Sequence, residues 1–464
     1  MMAGIDKSEE AVFAAKQNER LRVGVDVQNR SIPGSPVSLY SEVERCRICG
    51  NAELDPILDL GLQALSGVFP RQEDEDVPSG PLQLVKCQED SRGETCGLVQ
   101  LRHSYNPEWL YGSNYGYRSG LNQSMVDHLC EIARKIKQRV TIDAGDLILD
   151  IGSNDGTLLR AMNEPGATLA GMDPAGAKFH EFYPPHVQLI ADFFSAPRFR
   201  REFGGRKAKV VTSIAMFYDL EDPVEFMQQV HEVLDDDGIW VFEQSYLPAM
   251  IKMNAYDTVC HEHLEYYRLK QVQWMAERFG LRILDVELNA VNGGSFAVTV
   301  AKAGSSHPQN PRAIRQLLAE ESLGRFGGRE VYGEFRERVL RHREEFPRLL
   351  CEMARSGEVL YGYGASTKGN VILQFCGINR KQMPYIAEVN PDKFGCFTPQ
   401  SRIPIVSEQQ AGAMKPDGFV VLPWHFRESI VRRETKFLES GGRLIFPLPV
   451  IDTVTVAQGP HCRI

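Results

Sequence analysis

From Leu147 to Leu159 the chain reads LILDIGSNDGTLL: an apolar run, a glycine, a short polar loop and a second glycine before a helix-forming stretch. A buried strand ending in such a turn restricts what can follow. Its two edges need partners, and the helix after it must cover one face of the resulting sheet. The sequence continues accordingly, with a helix from Thr157, then LAGMDP, a helix, VQLIAD, VVTSIAM, a helix ending at the DDDG turn, and IWVFEQS. That alternation predicts an α/β domain built on a doubly wound parallel sheet.

The loops of this domain carry chemistry at three successive strand tips. Gly152 and Gly156 let the backbone pass close to a ligand, and Asp173 in LAGMDP is placed to accept bonds from ribose hydroxyls. The spacing from Asp150 is Asp-x-Gly-x-x-x-Gly, whereas dinucleotide sites use Gly-x-Gly-x-x-Gly. It suits an adenosyl group with a charged amino-acid tail better than a pyrophosphate. Asp192 with Phe193 and Phe194 adds an acceptor and an aromatic wall for an adenine.

At 464 residues the chain has room for two to four domains. A polar extension punctuated by Ser31, Pro33, Gly34 and Pro36 occupies residues 1–43. A cysteine-bearing segment covers 44–103, the alternating domain with a helical lead-in covers 104–305, and a second alternating region covers 306–464 after a linker rich in Gly, Ser, Pro and Asn. The net charge of -9 argues against nucleic acid or an anionic membrane as a partner. No apolar run approaches the ~20 residues needed to span a bilayer, and the first residues lack a signal peptide's apolar core. A cytoplasmic monomer or homodimer acting on a small molecule is the expectation, with its ten cysteines reduced.

Four of those cysteines have metal spacing. Cys46 and Cys49 form CRIC, a knuckle pair, and Cys87 and Cys96 complete a set of four suited to structural zinc. The eight residues between the second pair exceed a knuckle and read as a surface insertion.

A second cluster, YDTVCHEHLEYY from Tyr256 to Tyr267, lacks metal spacing. The position four after His261 is Glu265, so the His-Glu-x-x-His motif of zinc proteases fails. Near Gly362, GYGASTKGN follows the strand VLY; Gly362, Gly364 and Ser366 would place a phosphate at a helix N-terminus, with Lys368 adding charge. Thr367 stands where a dinucleotide loop has its third glycine, and Glu388 is the acid on the next strand. A nucleotide-carrying substrate and a nicotinamide cofactor both remain open at this loop.

The order CRIC, YGYRSG, LDIGSNDGTLL, GMDP, DFF, CHEHLEYY, NGGSF and GYGASTKGN resembles the bacterial deoxysugar C-methyltransferase family, over roughly residues 44–450. The resemblance implies a small zinc-binding domain, a Rossmann-like class I methyltransferase domain using S-adenosylmethionine, and a Rossmann-like C-terminal domain that helps hold a nucleotide-linked keto-sugar. By the same resemblance Cys46, Cys49, Cys87 and Cys96 are the zinc ligands. Gly152, Asp155, Asp173, Asp192 and Phe193 line the cofactor, with Asp150, Asn154 and Gly156 in the same loop. His263 is the general base, Glu262 stands beside it, and Tyr117 lies near the sugar. Where the family often has tyrosine before His-Glu-His, this chain has Cys260, so any role of a phenol there passes to Tyr256 or Tyr266. A neutral histidine suits proton abstraction beside a ketone, because its ordinary pKa lies near ~6.5. The rival readings are O-methylation on the same scaffold, an oxidoreductase using the second glycine loop, and a zinc-ribbon enzyme acting on RNA.

Overall fold

The structure, a computed structural model, describes residues 38–90, 92–111 and 116–456, leaving most of the expected extension outside the described residues. These residues form four sheets. The N-terminal strands are β1 (Tyr40–Glu42), β2 (Leu54–Ala64), β3 (Ser79–Cys87), β4 (Val99–Leu101) and β5 (His103–Tyr105). β1 pairs with β5, while β2, β3 and β4 form an antiparallel sheet.

The central sheet contains β6 (Leu147–Ile151), β7 (Thr168–Met172), β8 (Val187–Ile190), β9 (Ala208–Ile214) and β10 (Leu234–Ser245). A two-residue strand, β11 (Glu265–Tyr266), then leaves this domain and adds to the edge of β4. β12 (Leu281–Asn289) and β13 (Ser295–Lys302) complete the central sheet, whose order is β12-β13-β10-β9-β6-β7-β8. The inner strands pair in parallel, and all five residues of β6 are buried, as a strand covered on both faces requires. β12 and β13 are antiparallel, which strand–helix alternation alone did not anticipate. The DDDG segment also differs from expectation. It is a bulged start of β10, because the helix already ends at Val233.

The helix Gln123–Arg139 leads into this sheet. The Asn122 side chain caps it by accepting the Ser124 N–H, and Met125, Leu129, Ile132, Ala133 and Ile136 form its buried stripe. On the other side, the helix Glu330–Arg355 leads to the third layered unit, with β14 (Leu360–Tyr363), β15 (Ile386–Glu388), β16 (Ile405–Ser407), β17 (Gly418–Val421), β18 (Arg443–Phe446) and β19 (Asp452–Val454). Its order is β16-β15-β14-β17-β18-β19, parallel except for the last strand. One buried apolar cluster runs from Leu58 and Leu84 through Tyr256 and Cys260 to Val371 and Ile386. The N-terminal sheet, the segment around Tyr256 and the C-terminal unit therefore share a core.

Candidate active site

In the central sheet β6 runs to β7 and β8 on one side, while β9 and β10 lie on the other. The crevice between β6 and β9 is the topological switch point, where open α/β sheets hold their ligands. Gly152 takes φ +73°, and a Cβ there would stand 3.0 Å from Met216 Cγ, so both conformation and space call for glycine. Asp173 accepts the Asn154 N–H at 2.8 Å and the Ala175 N–H at 2.7 Å, which aims its carboxylate at the mouth of the loop. Asp150 turns inward and accepts from Thr212 Oγ1 at 2.6 Å; burial pushes its carboxyl up to about 7. Asp192 and Phe193 stand exposed at the tip of β8.

Asn154 and Asp155 make a latch. Asn154 Oδ1 accepts the Ser119 N–H at 2.9 Å, its Nδ2 donates to the Tyr117 carbonyl at 3.1 Å, and Asp155 Oδ2 accepts the Gly120 N–H at 2.8 Å. The glycine loop thus holds the segment Tyr117–Gly120 across its mouth, with Tyr117 half exposed. Gly156, at φ +72°, starts the short helix Thr157–Ala161. A loop opened by the glycines at 152 and 156, an acid aimed at its mouth and an exposed aromatic fit an adenosyl cofactor.

The His-Glu-His loop approaches from the β9 side. The Leu264 N–H donates to the Tyr218 carbonyl at 2.8 Å, and the His263 ring lies against the Tyr218 ring at 4.3 Å between centroids. Tyr218 belongs to the turn that begins beside Met216, the residue that covers Gly152. Two side chains therefore link the cofactor loop to His263. His263 Nδ1 lies 2.9 Å from the Thr258 carbonyl, which can only accept, so Nδ1 carries the proton and Nε2 keeps its lone pair. Burial first, and the charge of Lys368 second, push its imidazole down to about 3.

His261 points the other way. It is fully buried, with Nδ1 3.4 Å from Ser66 Oγ and its ring edge-on to Tyr105. Glu262 packs its carboxylate against Gly67, where a Cβ would stand 2.5 Å from Oε1, and burial raises its pKa. Tyr256 is not brought to this group. Its hydroxyl lies 2.9 Å from His342 Nδ1, and His342 Nε2 donates to the Pro447 carbonyl, so the phenol is a committed donor inside the C-terminal core.

At the second glycine loop, Gly362 is buried and Gly364 has φ +81°, with Pro423 filling the space a Cβ would need. Ser366 caps the helix Thr367–Phe375 by accepting the Gly369 N–H at 3.0 Å. Glu388 Oε2 accepts the Ala365 N–H at 2.7 Å, while Oε1 accepts from Val389 and Asn390. Lys368 turns away from this loop and donates to the Asn292 carbonyl at 3.0 Å. Tyr218, Thr258 and Asn292 were missed in the sequence, since no spacing rule connects residues brought together by three separate turns.

The four sulfurs of Cys46, Cys49, Cys87 and Cys96 lie within 4.8 Å of one another, with Cys46–Cys96 at 3.4 Å and Cys49–Cys87 at 3.5 Å. Tetrahedral zinc with ~2.3 Å bonds separates its sulfurs by about 3.8 Å, so the cluster fits the ion. Between the first two ligands, Arg47 donates to the Leu101 carbonyl at 2.7 Å and pairs with buried Glu265 at 3.5 Å. The zinc domain thereby grips the chain two residues beyond His263.

Comparison with known proteins agrees with this geometry. Residues 46–111 match a "Putative zinc binding domain", 125–286 a "Methyltransferase domain", and 290–449 a "C-methyltransferase C-terminal domain". The "C-methyltransferase NovU" of Streptomyces niveus is 32% identical over 413 residues, which cover 88% of this chain and 96% of that protein. The chain belongs to the C-methyltransferase family. This member is an S-adenosylmethionine-dependent methyltransferase, with a four-cysteine cluster for zinc. Two solved structures show distant likenesses. Magnesium protoporphyrin IX methyltransferase from Synechocystis PCC 6803 is 14% identical, with a TM-score of 0.28 over 39% of this chain and 82% of that one. Mitomycin 7-O-methyltransferase MmcR is also 14% identical, with a TM-score of 0.32 over 39% and 55%. Among the described residues, no helix is long and apolar enough to cross a membrane.

Proposed function

We propose that this enzyme methylates the carbon beside a ketone on a nucleotide-linked deoxysugar, with His263 as the general base. The observation that carries the reading is the tautomer of His263. With Nδ1–H held by the Thr258 carbonyl, Nε2 is a neutral acceptor next to the turn that borders the cofactor loop. Depression of its pKa keeps it neutral at cellular pH, at the cost of basicity. Carbon beside a ketone suits such a base, because the anion delocalises onto oxygen.

Gly152, Asp173, Asp192 and Phe193 would hold S-adenosylmethionine, with Asn154 and Asp155 closing the segment Tyr117–Gly120 over it. When bound, that cofactor supplies an electrophilic methyl group. His263 takes the proton from carbon, and Glu262, half-buried beside it with its carboxylate against Gly67, would restrict the loop. The C-terminal unit, with Gly362, Gly364 and Ser366 at its glycine turn, would hold the nucleotide. The relative's printed name favours carbon over oxygen as the acceptor, and the acidic balance and lack of a Lys/Arg-rich stripe near CRIC disfavour RNA. The test is incubation with methyl-labelled S-adenosylmethionine and a panel of nucleoside-diphosphate 4-keto-6-deoxyhexoses, with the product read by NMR. A new C–CH3 signal is expected, and an O–CH3 signal would overturn the carbon reading.

A further inference from the structure

Proton abstraction beside a ketone moves a negative charge onto the ketone oxygen, and the His263 nitrogen that takes the proton is aimed at carbon, so that oxygen needs a donor of its own. The strongest charge stabilisation in such reactions comes from a preorganised donor aimed at the developing oxyanion. Tyr256 is spent on His342, and Tyr266 donates to the Thr258 carbonyl at 3.3 Å. Cys260 is buried, and burial holds its thiol well above the ordinary range, so it is a weak donor.

The remaining cation is Lys368. It sits in the first turn of the helix Thr367–Phe375, so the cap at Ser366 sets where its stem begins. Its amine reaches the Asn292 carbonyl in the turn Val291–Gly293. Three turns meet there. Trp424 Nε1 donates to Asp257 Oδ2 at 2.7 Å, tying the turn Trp424–Phe426 to the turn Tyr256–Thr258. The Trp424 ring also covers Gly293, where a Cβ would stand 3.1 Å from the indole. Thr258, in the same knot, is the residue whose carbonyl orients His263.

Asn292 takes one of the ammonium's three N–H bonds, and no second acceptor lies within hydrogen-bond distance among the described residues. Burial lowers the pKa of Lys368, while the charge of Asp257 opposes that shift. Thr367, its neighbour in that first turn, shares a contact point with the His-Glu-His loop: a Cβ on Gly67 would stand 2.5 Å from Glu262 Oε1 and 3.8 Å from Thr367 Oγ1. The charge of Lys368 also pushes down the pKa of His263.

We propose that Lys368 is a catalytic residue: its ammonium donates to the ketone oxygen beside the carbon that His263 deprotonates. The proposal rests on the carbon-methylation reading. In the step, the C–H bond breaks, its proton passes to His263 Nε2, and the electron pair flows through the new C=C bond onto the ketone oxygen. Lys368 stays protonated and stabilises that oxygen until the C=O bond re-forms and the carbon takes a methyl group; the S–CH3 bond of the sulfonium donor would break as the C–CH3 bond forms, its electron pair staying on sulfur. The sequence alone assigned Lys368 to a phosphate, and the two roles separate experimentally.

The experiment uses full-length protein, Lys368→Met and Lys368→Arg, with a thymidine-diphosphate 4-keto-6-deoxyhexose as the probe. Three quantities are measured: deuterium exchange at the carbon beside the ketone in heavy water, affinity for thymidine diphosphate alone, and affinity for S-adenosylmethionine. Lys368→Met should slow exchange about 10²–10³-fold, the usual loss for one oxyanion donor. Both affinities should stay within about twofold of wild type, and Lys368→Arg should recover part of the exchange. Retained S-adenosylmethionine affinity certifies the fold of each variant. If Lys368→Met were misfolded, Lys368→Gln would decide, since it can keep a bond to the Asn292 carbonyl but loses the charge; exchange equal to wild type in that variant overturns the proposal. Unchanged exchange with a tenfold or greater loss of thymidine-diphosphate affinity makes Lys368 a phosphate ligand and overturns the inference alone. A wild-type enzyme that methylates oxygen without carbon exchange overturns both this inference and the function it rests on.

Discussion

The molecule contains two strand–glycine–helix openings, one after β6 and one after β14, and they use the same local device. In each, an acid at the end of the neighbouring strand reaches back to cap the backbone of the glycine loop: Asp173 takes the Asn154 N–H, and Glu388 takes the Ala365 N–H. The surroundings separate their roles. The central loop presents side chains at its mouth, where Asn154 and Asp155 hold a neighbouring segment and Phe193 stands exposed. The C-terminal loop is braced by its neighbours. Pro423 covers Gly364, Lys393 donates to the Ala365 carbonyl at 2.7 Å, and all of Glu388's recorded bonds go to main chain. We read the first turn as the cofactor cradle and the second as a rigid support against which the nucleotide would rest, because different elements stand over them.

The largest test of this contrast concerns which unit holds the base. His263→Ala should lower turnover by about 10²–10⁴-fold with S-adenosylmethionine affinity retained, since a general base contributes that much. Steady-state kinetics beside calorimetry reads both, and full turnover in the variant would remove the base from the central unit.

Next comes the pair of acids. Asp173→Ala should weaken S-adenosylmethionine binding by about 1.5–3 kcal/mol, the worth of a charge-assisted hydrogen bond. Glu388→Gln should leave that affinity unchanged. Equal losses in the two variants would erase the distinction between cradle and support. The absence of a nicotinamide absorbance band when the purified protein is mixed with reduced nicotinamide cofactor and filtered would sharpen it further.

A titration probes the site's electrostatics. Burial and Lys368 both disfavour the imidazolium of His263, so its folded pKa lies below the ordinary ~6.5. The ring should stay neutral as pH falls from 8 to 5, and the acid limb of kcat/KM assigned to this base should fall below ~6.5. An NMR titration of ring-labelled histidine checks this, with protonation of His263 near ~6.5 as the contrary result.

The smallest catalytic effect should come from Tyr256→Phe. It strands His342 Nδ1 in the core, so stability should fall by about 1–3 kcal/mol. Turnover should change by less than about threefold. Denaturant melts and kinetics together separate the two, and a hundredfold loss of turnover would return the phenol to the active site.

Much of this organisation is legible in local sequence. Continuous apolar strands such as LILDI, glycines at positive φ and acids at strand tips are governed by backbone sterics and short-range hydrogen bonding, which depend on neighbouring residues. The four cysteines were legible for the same reason, since metal spacing is a local rule even when its two halves lie apart. The antiparallel pair β12 and β13 was not, because strand direction depends on how the chain returns to the sheet. Nor was the destination of a long side chain. Tyr256 and Lys368 are chemically suited to the roles first assigned to them, yet Tyr256 turns to His342 and Lys368 to Asn292. Sequence determined the two glycine loops, the zinc ligands and the histidine pair. Tertiary structure alone decided that His261 faces the N-terminal sheet, that His263 faces Tyr218, and that the Lys368 amine of the third unit reaches the Asn292 carbonyl. The physical reason is that tautomer, burial and electrostatic partner are properties of a packed neighbourhood, assembled here from turns far apart in the chain.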